Sequence, residues 1–160
     1  MLRIIGLLGS EDYGKTHSLN YFARMIEKHF DIRPFVFKSN GDGSDESDNY
    51  YGYSFAINGK EVIVIITTQG DWLQGVECNY EFLKANVDIK TKDVFWFSAS
   101  RAKGSTKDRL NQIQQSTEGE IYWIRKGCIE FYPNLPEEIE LKNNLHTSEL
   151  LFSILMELTK

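Results

Sequence analysis

The chain has 160 residues, 41% hydrophobic and 26% charged, with a formal net charge of −5. That length suits a single domain spanning 1–160 with a real core, and the acidic balance excludes the basic footprint of a general nucleic-acid binder. No stretch reaches the length of a membrane span, no signal-peptide pattern opens the chain, and Cys78 and Cys128 form no Cys-x-x-Cys, so a cytoplasmic protein with free thiols is expected.

Residues 2–8 are a short apolar run and read as a buried strand. A glycine-containing loop follows, then a helix over about 16–30 with Leu19, Phe22, Ala23, Ile26 and Phe30 on one face. Residues 34–38 form a short strand. The 39–49 stretch, with Asp42, Asp45, Glu46 and Asp48 among Gly, Ser and Asn, reads as a mobile surface loop. Strands at 51–57 and 60–68 flank Asn58-Gly59, a strong hairpin signal because both turn residues adopt positive φ. The five apolar residues 62–66 mark a strand covered on both faces.

A helix is expected over 75–86 and a buried strand over 94–97. A polar loop at 98–107 leads into a helix ending near Gln115, with Ser105 and Asp108 as its capping pair. A strand at 120–125 and an irregular stretch at 127–141, interrupted by Pro133 and Pro136, precede a last helix starting near Thr147. Its buried stripe is Leu150, Leu151, Ile154, Leu155 and Leu158. Strands alternating with helices give an α/β class with a mostly parallel sheet and one antiparallel hairpin strand.

Residues 9–16 read Gly-Ser-Glu-Asp-Tyr-Gly-Lys-Thr and fit Gly-x-x-x-x-Gly-Lys-[Ser/Thr] at every required position. Glycines let the backbone curl so that its N–H groups point at phosphate oxygens, and the helix N-terminus adds its positive end. Lys15 supplies a mobile cation, and the Thr16 hydroxyl is a ligand for Mg²⁺. The segment follows a strand and opens a helix, as such a loop requires.

On these residues the N-terminal third resembles the P-loop NTPase superfamily. The resemblance implies a three-layer α/β/α sandwich, Mg²⁺ as partner ion, and the phosphates of ATP or GTP lying over Gly9, Ser10, Glu11, Asp12, Tyr13, Gly14, Lys15, Thr16 and His17. Glu11 and Asp12 are unusual in such a loop, because two acids repel a polyphosphate unless they face solvent.

Proteins of this superfamily also need an acid at the end of a neighbouring strand. The candidate strand runs into Thr67-Thr68-Gln69-Gly70-Asp71. The order of loop, hairpin and this segment partly resembles small GTPases, with Thr67 in the place of their Asp and Gly70 in the place of their Gly. The alternative makes Asp71 the acid of the metal shell or the residue that orients water. Thr16, Thr67 and Asp71 are therefore the candidate metal residues, and Lys15, Asp71 and Arg101 the candidate catalytic ones, with Arg101 in a loop at a strand's carboxyl end.

No Asn-Lys-x-Asp guanine-reading motif is present, which favours ATP over GTP. Three functions stay open: an NTP hydrolase or nucleotide-controlled switch, a small-molecule or nucleotide kinase, and a non-catalytic nucleotide-binding domain or subunit that needs a protein partner. The switch reading expects 39–49 to be disordered without ligand and to order on the γ-phosphate.

Overall fold

The structure is a computed structural model and describes residues 1–9, 14–126 and 137–160. Six strands form one sheet: β1 (Leu2–Leu8), β2 (Val36–Ser39), β3 (Asn49–Ile57), β4 (Lys60–Thr67), β5 (Val94–Ser100) and β6 (Glu120–Arg125). Their order is β2-β3-β4-β5-β1-β6. The pairings β4·β5, β5·β1 and β1·β6 are parallel, while β3 runs antiparallel to both neighbours. The expected antiparallel strand thus lies one place in from the edge, which β2 occupies. Asn58 and Gly59 join β3 to β4 at φ of 52° and 78°, as the hairpin turn requires.

Four helices are present among the described residues: α1 (Lys15–Phe30), α2 (Leu73–Asn86), α3 (Ser105–Ser116) and α4 (Glu137–Leu158). The period of two along β4 decides which helices cover which face. Val62, Val64 and Ile66 join Leu19, Phe22 and Ile26 of α1 and Leu151 and Leu155 of α4. Ile63 and Ile65 join Val76 and Leu83 of α2 and Leu110 and Ile113 of α3. This gives two helices on each face, and it explains why 62–66 carries no polar residue.

α1 forms because Leu19, Phe22, Ala23 and Ile26, all fully buried, recur at helical spacing. It ends at Asp31, whose φ of 50° turns its N–H back to the Glu27 carbonyl. Lys28 and His29 complement the negative end of the helix dipole.

Two expectations need correction. α4 begins at Glu137, well before Thr147, and its buried stripe is Asn144, Thr147, Ser148, Leu151 and Leu155, with Leu150 43% exposed. The first half of the helix buries mainly polar groups, so its hydrophobic period is faint. In α3 the N-cap is Gly104, with no side-chain cap from Ser105. Thr106 is buried there instead and accepts hydrogen bonds from the Ser100 hydroxyl and the Arg101 N–H. No described helix is long and apolar enough to cross a membrane.

Candidate functional site

The start of α1, the loop between β2 and β3, the segment after β4 and the first turn of α4 line a cleft of about 310 Å³, through Gly14, Lys15, Thr16, His17, Glu46, Asp71 and Glu140. Gly14 caps α1 in the left-handed region, at φ 70° and ψ 23°. A Cβ there would lie 2.3 Å from Asn144 Oδ1, so α4 backs the turn directly. Asn144 is itself buried, and its Oδ1 accepts from Lys126 Nζ at 2.6 Å and from Ser18 Oγ at 3.4 Å. Sequence reasoning missed both Asn144 and Lys126.

Lys15 is only 5% exposed. Its amine donates to the Gly9 carbonyl at 3.0 Å and to Asp71 Oδ1 at 3.0 Å. The second contact joins the two segments singled out in the sequence, 56 positions apart. It requires a detour, because β5 stands between β4 and β1. The 67–71 segment must therefore cross the end of β5, and Gly70 does so in backbone contact. A Cβ on Gly70 would lie 2.1 Å from the Ala99 carbonyl oxygen. The crossing is also fixed from behind: Asn79 Nδ2 donates to the Gln69 carbonyl, and Tyr50 donates to Gln69 Oε1 at 2.8 Å. The Gln69 side chain and backbone thus hold the loop.

Thr67 and Thr68 point into different surroundings. Thr67 Oγ1 accepts from Trp96 Nε1 at 3.0 Å and donates to Ser98 Oγ at 3.3 Å, among residues of the α2/α3 face. The structure therefore does not bring Thr67 together with Thr16. Thr68 Oγ1 instead donates to Asp48 Oδ1 at 3.3 Å, and Thr16 Oγ1 donates to the same oxygen at 3.5 Å.

Asp48 is thus a site residue that the sequence reading treated only as one acid of a loop. It is half-buried, and burial raises its pKa. The nearby Asp71 charge adds to that shift, and the two threonine hydrogen bonds oppose it.

The loop carrying Asp48 is tied down. Asn20, fully buried on α1, donates to the Asp45 and Ser47 carbonyls at 2.8 and 3.1 Å. Its Oδ1 accepts from Asn49 Nδ2 and the Tyr51 hydroxyl. Burial pushes the Tyr51 phenol up to about 12. At the tip, Asp42 accepts from the Ser44 N–H and Ser47 Oγ, and these bonds, with the Ser44 hydroxyl, lower its pKa to about 2. The segment expected to be a mobile surface loop is hydrogen-bonded to α1.

Of the other candidates, Arg101 begins the segment after β5, beside the start of the 9–16 loop, since the Gly9 N–H donates to the Ser100 carbonyl at 3.1 Å. His17 lines the cleft, with its ring edge-on to Tyr21 at 6.2 Å. Ser10, Glu11, Asp12 and Tyr13 lie outside the described residues. Among the described residues no three His, Cys, Asp or Glu side chains group as a metal cage. The oxygen donors at the cleft are the carboxylates of Glu46, Asp71 and Glu140 and the Thr16 hydroxyl, with Asp48 against that hydroxyl. That set fits Mg²⁺, which keeps most of its waters and takes the rest of its ligands from substrate phosphates.

A larger groove of about 890 Å³ lies at the opposite ends of the strands, between the C-terminal turns of α2 and α3. Comparison with protein-family models, curated proteins and solved structures finds no match, so the reading of the site rests on its geometry.

Proposed function

We propose that the cleft binds a magnesium nucleoside triphosphate and hydrolyses its terminal phosphoanhydride, with ATP favoured over GTP. The observation that carries this reading is the contact of buried Lys15 with Asp71 across the end of β5. A buried lysine lining a cleft at a helix N-terminus, next to a left-handed glycine, suits a ligand with several negative oxygens. The four acids nearby, Asp48, Asp71, Glu46 and Glu140, would repel a bare polyphosphate and suit one that arrives with a divalent cation.

In this reading the Lys15 amine leaves Asp71 for the β- and γ-phosphate oxygens, and the Thr16 hydroxyl would hold the cation. Mg²⁺, when bound, neutralises charge on the phosphates and orients them. Asp71, released from Lys15, accepts a hydrogen bond from the attacking water. Water oxygen bonds to the γ-phosphorus, the bond to the β–γ bridging oxygen breaks, and nucleoside diphosphate leaves while the water's proton passes to phosphate. Arg101, the residue after the Ser100 whose carbonyl accepts from the Gly9 N–H, would serve charge on the transferring group. The anchoring of the Asp48 loop by Asn20 favours a hydrolase with a preformed loop over a switch that orders on ligand binding.

The test is phosphate release from ATP and GTP, each with Mg²⁺, by wild type beside Lys15→Ala. Turnover that falls at least a hundredfold in the variant is the expected result. Binding without turnover would shift the reading to a kinase awaiting its acceptor or a subunit awaiting its partner.

A further inference from the structure

The strand-end acid that such a site needs is missing from β4, where Thr67 stands and spends its hydroxyl on Trp96 and Ser98. The antiparallel pairing of β3 with β4 supplies a carboxylate at that place from another part of the chain. Tyr50 stands opposite Thr67, so the residues just before β3 run alongside those just after β4. The join is tight: the Thr68 N–H donates to the Asn49 carbonyl at 3.1 Å, and the Asn49 N–H donates to Thr68 Oγ1 at 2.9 Å. Thr68, 1% exposed, turns its own proton to Asp48. Asp48 is thereby held against Thr16, 32 positions away in the chain.

We infer that Asp48 is the positioning acid for the metal side of the site, acting through Thr16. The inference rests on the proposed nucleotide reading. A threonine hydroxyl that offers its oxygen to a cation must send its proton elsewhere, and Asp48 Oδ1 is the acceptor that the Thr16 hydroxyl faces. The same carboxylate is placed to order waters around the cation. The two acids then divide the work: Asp71 serves the Lys15 side and Asp48 the Thr16 side. The Asn20 clasp fixes the Asp48 loop before any ligand arrives.

The experiment measures the affinity of a fluorescent ATP analogue for the full chain, once in Mg²⁺ and once in EDTA. The ratio of the two is the metal gain. Asp48→Asn should lower that gain at least tenfold while leaving the EDTA affinity unchanged or tighter, because one repelling charge is gone. Asp48→Glu should restore part of the gain. Thr68→Val, which keeps the shape and removes the hydroxyl, should give a smaller loss in the same direction. A wild-type gain retained in Asp48→Asn overturns the inference, as does a wild type that binds equally in both solutions. Should Asp48→Asn lose its cooperative melt, an unchanged gain in Thr68→Val overturns it. A wild type with no affinity in either solution overturns the nucleotide reading and this inference with it.

Discussion

Two of the segments that carry acids to the cleft are held by different physics. The 67–71 crossing delivers Asp71 by close approach of backbone to backbone, with Gly70 in contact with Ala99. The 40–48 loop delivers Asp48 by buried amides, with Asn20 and Asn49 satisfying carbonyls that would otherwise be orphaned. The first arrangement tolerates no added atom. The second tolerates shape changes and depends on every hydrogen bond being made. Substitution should therefore break the two arms in distinguishable ways.

Gly70→Ala should have the largest effect. Its methyl would collide with backbone rather than with a movable side chain, so the loop must lift off β5. A loss of about 3 kcal/mol in urea unfolding is expected, together with at least a tenfold loss of ATP affinity as Asp71 moves from Lys15. Unchanged stability would mean that the crossing is looser than the geometry indicates.

Asn20→Ala should come next. It strips partners from two carbonyls, the Asn49 amide and the Tyr51 hydroxyl, and should cost about 2 kcal/mol. Its signature is local: hydrogen exchange should quicken across 40–48 while the 67–71 backbone keeps its protection.

Asp42→Asn should be the mildest, since Asp42 is exposed and braces only the tip of the loop. Its folded pKa, about 2, lies below its unfolded value. The stabilisation it provides is therefore present above roughly pH 4, the unfolded value, and is lost as pH falls through about 2. Wild type should lose a small amount of stability across that window. The variant, measured by thermal melting at each pH, should lack that part of the slope.

The contrast between the arms also separates what the sequence discloses from what it hides. The loop at 9–16 announces itself because residue types at fixed spacing are what phosphate binding requires. The hairpin is legible because Asn58-Gly59 can take two positive φ values. β4 is legible because burial on both faces leaves no polar residue in its middle. Asp71 could be nominated from chain order alone.

The insertion of β5 between β4 and β1 could not, because periodicity fixes which face a strand buries and not which neighbour it joins. That order is the reason Gly70 must be glycine. Asp48 was hidden for a related reason. Its surroundings in sequence are polar and read as solvated, whereas its role comes from register with Thr67 and Thr68. The start of α4 is hard to read because Asn144, Thr147 and Ser148 are buried polar residues that blur the hydrophobic stripe.

The most direct test of the central claim is equilibrium binding of ATP in Mg²⁺ to wild type and to Lys15→Ala, with folding of both checked by circular dichroism. Saturable binding by wild type, weakened at least a hundredfold in a folded variant, is the predicted result. Equal affinity in the two proteins, or none in wild type, would contradict the account.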